Sequence, residues 1–139
     1  MNYNSPIKDT KFVLENLLES QSDLDNETID AVLNEAGKFA NENLAPLYHS
    51  GDKNPPKLRQ DYEVETSPGY KEAYKSLAAG GWVGVSSDPN YEGMGLPFRM
   101  AAAVNEYWQG SNISFALCIL LVIWDICGEV KSKLVLLLP

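Results

Sequence analysis

Apolar residues recur at helical spacing in successive stretches of this chain, separated by clusters of turn-forming residues. In the first, Phe12, Val13, Leu17 and Leu18 share a face behind Ser5-Pro6, which reads as a cap followed by a first-turn proline. That pattern predicts a short amphipathic helix from about Ile7 to Ser20, broken by the polar cluster Asp23 to Asn26. In the second, Ile29, Val32, Leu33, Ala36, Phe39, Ala40 and Leu44 trace a stripe of period 3.6, the strongest helical signal in the chain. Its expected end is Pro46, since a proline disfavours helical geometry in the residue before it and lacks an N–H for the ladder.

From His49 to Thr66 the stripe disappears; Leu58, Gln60, Tyr62 and Val64 alternate, and an exposed connection or small hairpin is expected over about 52–66. Ser67-Pro68 repeats the cap-and-proline signal before Tyr70, Ala73, Tyr74, Leu77 and Ala78, which share a face, and Gly80-Gly81 supplies a stop. Trp82 to Leu96 is too irregular for a helix and too rich in glycine for a strand. Pro97 opens another helix, with Met100, Ala103, Val104, Tyr107 and Trp108 apolar, and Gly110 to Asn112 make a break. Ile113 to Cys127 then read as an almost wholly apolar helix that other elements must surround.

The 139 residues suffice for one domain, and 45% hydrophobic, 22% charged and 10% aromatic residues describe an ordinary globular chain. A formal charge of -8, with no clustering of the 11 basic residues, argues against nucleic acid as a ligand. The uncharged run Phe115 to Trp124 ends at Asp125, at half the roughly twenty residues that a bilayer span needs, so no membrane span is expected. The N-terminal ten residues lack the apolar core of a secretion signal, and Cys118 and Cys127 read as small buried hydrophobes in a reducing compartment; together they point to the cytoplasm.

The usual constellations of catalysis are missing. His49 is the single histidine, in a polar turn region with no nucleophile signature beside it, and two cysteines with one distant histidine give no metal spacing. No phosphate-binding glycine motif is complete. Two features carry open readings. The Trp82 to Pro97 segment reads either as a buried helix-to-helix crossover or as a loop at the mouth of an apolar pocket. Glu106, lone among apolar residues, reads as an internal anchor for loop amides ahead of a general base.

At these residues the sequence resembles the N-terminal helical domain of the acyl-CoA dehydrogenases. GGWVGVSSDPNYEGMGLP, 80–97, is similar to the family pattern Gly-Trp, small residues, Pro, Tyr-Gly-Gly-x-Gly-Leu, with Glu92 where the first paired glycine is usual. Glutamate tolerates positive φ less well than glycine, so the departure bears on the loop's geometry. The likeness continues through AAAVNEYW (101–108) and SNISFALC (111–118). VLNEAGKFANENLAPL (32–47) and TSPGYKEAY (66–74) resemble the subgroup with an extra N-terminal segment, which includes the methylmercaptopropionyl-CoA dehydrogenases.

The resemblance implies an all-α fold, an orthogonal N-terminal helical bundle, divided as an extension helix (1–24), the helical domain (25–118) and a divergent apolar segment (119–139). It implies a flavoenzyme that removes two hydrogens across the α and β carbons of an acyl-CoA. FAD and the glutamate that takes the α proton belong chiefly to later segments of such proteins. On this reading the chain is a truncated or frame-shifted fragment, binding no FAD by itself, with no catalytic residue and no metal ligand of its own. Tyr91, Gly93, Gly95 and Leu96 match the family's loop near the acyl-CoA site, and Phe115, Leu117 and Cys118 match the helix bordering the acyl chain. Two rivals stay open: a degenerate interaction module that pairs with a second copy or with separately encoded domains through its apolar C-terminal helix, and a nonfunctional remnant.

Overall fold

The structure, a computed structural model, describes residues 3–17 and 24–117. They form an all-α bundle carrying one small β-hairpin, the fold class that the patterning predicts. Among them no helix is long and apolar enough to cross a membrane.

Helix α2 (Asn26–Phe39) organises the rest. Asp25 caps it in extended geometry, its carboxylate accepting from the Thr28 N–H at 2.7 Å and from the Thr28 hydroxyl at 3.1 Å. Ile29, Leu33, Ala36 and Ala40 are buried in a single stripe. Over Ala40–Leu44 the helix widens into a π segment in which the Ala45 N–H donates to the Ala40 carbonyl, five residues back. That extra residue keeps both Leu44 and Ala45 buried.

The chain does not leave helical geometry at Pro46 as expected. Pro46 is the N-cap of a further helix, α3 (Leu47–Lys53), where a missing N–H costs nothing because first-turn donors have no intrahelical partner. His49 therefore stands on a helix, not in a turn. The hairpin follows: β1 (Lys57–Leu58) pairs antiparallel with β2 (Val64–Glu65), Lys57 opposite Glu65 and Leu58 opposite Val64.

Helix α1 (Ile7–Phe12), continued by a π turn over Val13–Leu17, lies along α2. Its inward face is not the expected one. Thr10 and Leu14 are buried, whereas Phe12, Val13 and Leu17 are exposed. Ser5 fixes the choice. Its hydroxyl lies within hydrogen-bond distance of the Gly37 carbonyl and Asn41 Oδ1, and Asn41 Oδ1 also accepts the Ser5 N–H. Ser5 thus binds across to α2 instead of capping α1, whose N-cap is Pro6. Lys11 adds a bridge to Asp30 at 2.6 Å, and that bond is the main reason its pKa is raised. The continuation to Leu18–Ser20 and the Asp23 break lie outside the described residues.

Helix α4 (Tyr70–Ala79) begins after Gly69 at φ 83° and ends at Gly80, as the glycine pair suggests. Ser67 is buried and makes no side-chain cap; its carbonyl takes the Tyr70 N–H instead. Ala73 and Leu77 face the core, Tyr70 is half-buried and Ala78 faces solvent. Helix α5 (Phe98–Ser111) crosses α2, burying Met100, Ala103, Val104, Tyr107 and Trp108. The Trp108 ring meets Phe39 edge-on at 5.4 Å and Trp82 at 5.7 Å. The break after α5 is narrower than expected, a single extended residue, Asn112, after which 113–117 are helical again. The rest of the expected apolar helix lies outside the described residues.

Candidate functional site

Phe115 leads to a candidate site. It belongs to the helical residues 113–117, where Phe115 and Ala116 are buried and Leu117 is half in solvent. The Phe115 ring meets Tyr70 of α4 edge-on at 5.6 Å and 66°. Together with Tyr74, Val64 and Thr66 these rings wall a groove of about 570 Å³ between α4 and the hairpin. Arg59, Glu63, Glu65 and Lys71 complete its lining. The three aromatic rings give the trough an apolar wall, the four charged side chains a polar one, and its volume is that of a small-molecule site.

Asn112 holds the trough together. It is wholly buried, and its side chain makes three hydrogen bonds: Nδ2 donates to the Leu44 carbonyl at 3.2 Å, while Oδ1 accepts the Tyr70 hydroxyl at 3.3 Å and the Phe115 N–H at 3.1 Å. The last of these caps the helical residues that carry Phe115.

The glycine-rich loop lies elsewhere. Two 3₁₀ turns, Trp82–Gly84 and Pro89–Tyr91, shape it, and Asp88 caps the second by accepting the Asn90 N–H. Val85 is buried, Trp82, Val83, Met94 and Leu96 are half-buried, and Tyr91 is 83% exposed. Glu92 sits at φ 63°, so the position where the family pattern has glycine demands left-handed geometry. Gly93 is required for contact: a Cβ there would stand 2.1 Å from the Ser87 carbonyl oxygen. The N–H groups of residues 91 to 96 all donate to carbonyls of the loop itself, at 2.9 to 3.2 Å. None is left to grip an anion.

Tyr91, Gly93, Gly95 and Leu96 thus cluster on the loop, and none of them lines the groove that Phe115 walls. Leu117, at the surface, does not line it either, and Cys118 lies outside the described residues. Glu106 is not the internal anchor expected of it. It is exposed on α5 and lines a second groove of about 540 Å³ against α1, and the amides of residues 91 to 96 have backbone partners instead. The sequence carries no signal for Asn112 as a hub; it marks the residue as part of a helix break and of the family-like stretch 111–118. Among the described residues, no cluster of His, Cys, Asp or Glu could hold a metal.

No protein-family model matches the chain. Over 129 residues, 87% of the chain, it is 34% identical to 3-methylmercaptopropionyl-CoA dehydrogenase of Ruegeria pomeroyi (strain ATCC 700808 / DSM 15171 / DSS-3). The chain spans 22% of the length of that relative.

Proposed function

Because this chain is related to the acyl-CoA dehydrogenases over most of its length, we propose that it supplies the N-terminal helical part of such an enzyme and contributes a wall of the site for an acyl-CoA thioester. The observation that carries this is the Tyr70, Tyr74, Phe115 trough, whose Phe115 lies on the segment that resembles the family's acyl-bordering helix. The trough would take the acyl end, whose transfer from water onto aromatic surface is favourable by roughly 0.8 kcal/mol per CH₂ buried. Tyr91, Gly93, Gly95, Leu96 and Leu117 would meet the acyl-CoA from outside this trough, which none of them lines.

Dehydrogenation of an acyl-CoA removes a proton from the α carbon and a hydride from the β carbon, so it needs a base and a hydride acceptor. FAD accepts the hydride in this family. The N–H groups of residues 91 to 96 are spent on the loop's own carbonyls and so form no cradle for the pyrophosphate of FAD. Flavin and base would come from outside these residues, and the chain by itself would bind thioester without oxidising it. A reducing, cytoplasmic setting fits the sparse cysteines.

Titration calorimetry of the chain with butyryl-CoA, 3-methylthiopropionyl-CoA and free CoA tests this reading. Both thioesters should bind more tightly than free CoA, with no acyl-CoA-dependent dye reduction. Equal affinity for all three overturns acyl recognition, and dye reduction by the chain overturns its inactivity.

A second reading, an interaction module, is favoured by one observation: Phe12, Val13 and Leu17 form an exposed apolar face on the α1 segment. A stable dimer on a sizing column that Leu17→Glu dissociates would support it.

A further inference from the structure

We infer that Tyr70 and Asn112 are positioning residues for the aromatic groove, holding the Phe115 ring in the one orientation that leaves the trough open. The inference rests on the acyl-site reading only for what the groove binds. Its geometric content stands apart.

Three segments distant in sequence meet at the Tyr70 hydroxyl: α4, α3 and the turn at Asn112. On one side it donates to Asn112 Oδ1 at 3.3 Å. On the other it lies against the backbone of α3, where a Cβ built on Gly51 would come within 2.3 Å of the hydroxyl oxygen. Glycine at 51 therefore makes room for the phenol to reach Asn112. Asn112 is held in turn by the Leu44 carbonyl and accepts the N–H of Phe115 at the same Oδ1 that takes the Tyr70 proton.

One amide oxygen thus fixes both partners of the edge-on ring pair, Phe115 through its backbone and Tyr70 through its hydroxyl. Both rings line the groove. Without the hydroxyl bond only packing against Phe115 and α3 holds the Tyr70 ring, and the wall the two rings share loosens. Binding sites depend on side chains locked in this way by partners that do not themselves touch the ligand.

The test places a fluorine-labelled phenylalanine at position 115 of the full chain and reads its fluorine NMR signal. Tyr70→Phe should shift or broaden the signal by releasing the neighbouring ring. Gly51→Ala, which pushes the same hydroxyl away from the opposite side, should do likewise. Leu33→Ala, which destabilises the shared core from α2, and Tyr48→Phe, on α3 but outside the groove, should leave it in place. If Tyr70→Phe and Gly51→Ala leave the signal unmoved, or if Leu33→Ala moves it equally, the positioning role is overturned. Adding butyryl-CoA to the unsubstituted labelled chain separates the two ideas. A shift supports the acyl site, whereas silence together with responsive Tyr70→Phe and Gly51→Ala chains removes that reading and leaves the positioning role standing.

Discussion

The side-chain amide of Asn112 donates to the carbonyl of Leu44 across 68 residues of chain. That carbonyl is stranded: the Tyr48 N–H, which would reach it in a continuous helix, turns to Ala45 instead. The break at the end of one helix is therefore closed by the break at the end of another. Asn112→Ala would leave the Leu44 carbonyl and Tyr70 hydroxyl buried without partners and remove the cap on Phe115. The expected loss is roughly 2–4 kcal/mol of unfolding free energy, measured by urea denaturation. A loss below roughly 0.5 kcal/mol would mean that water replaces the amide at no cost.

Glu92 is exposed and holds a left-handed conformation that glycine adopts freely. Glu92→Gly should stabilise the chain by about 1 kcal/mol, since the strain relieved outweighs the added freedom of the unfolded state. Thermal unfolding reads the sign directly.

One residue on, the prediction reverses. Gly93→Ala drives a methyl into the Ser87 carbonyl, backbone that cannot swing aside, and breaks the bond by which that carbonyl accepts the Gly95 N–H. A destabilisation of about 2 kcal/mol is expected, with a changed Trp82 fluorescence because the loop is seated through that ring. A chain with unaltered fluorescence and melting would show that the loop relaxes freely.

Tyr107 is wholly buried, and its hydroxyl makes no hydrogen bond among the described residues. Burial raises its pKa, an effect that the nearby Thr10 hydroxyl partly offsets. Thr10 donates its own proton to the Pro6 carbonyl. Tyr107→Phe removes a desolvated polar atom at no packing cost, so stability should rise by up to about 1 kcal/mol. A drop of similar size would show instead that Tyr107 and Thr10 are bonded in solution.

Asp25 supplies the pH dependence. The Thr28 N–H it accepts holds its carboxyl below the ordinary 3.8. A depressed folded pKa means that its contribution is complete above 3.8 and fades as the pH falls through the lower, folded value. Asp25→Ala should therefore melt earlier than the parent chain at pH near 7, and the gap should close in strong acid. A gap that persists unchanged in strong acid would count against the charged cap.

Local pattern made much of the architecture legible. The stripe from Ile29 to Leu44 is buried as its period requires, Gly80 ends α4, and the alternation around Leu58 to Val64 becomes a hairpin. Glu92 at positive φ is what a glycine position in the loop pattern implies. Phe115 is a candidate on resemblance alone; the groove it walls is a feature of the fold. Other features were illegible. Phe12, Val13 and Leu17 look like a core face and are not, because Ser5 binds Gly37 and Asn41 and so decides which side of α1 meets α2. Glu106 looks internal by its neighbours but points to solvent, since an apolar flank in sequence does not set which way a helix is rolled.

What the sequence determined alone is the stripe of α2, the helices after Pro68 and after Pro97 and the likeness of the chain to a known dehydrogenase, because each depends on residues three or four apart or on a motif read in order. Only the tertiary structure decided which face of α1 turns inward, that Pro46 starts a helix, and that Asn112 joins Leu44, Tyr70 and Phe115. The reason is physical. A buried polar side chain must find its partners among whatever atoms the fold brings to it, and here those atoms lie as far as 68 residues away.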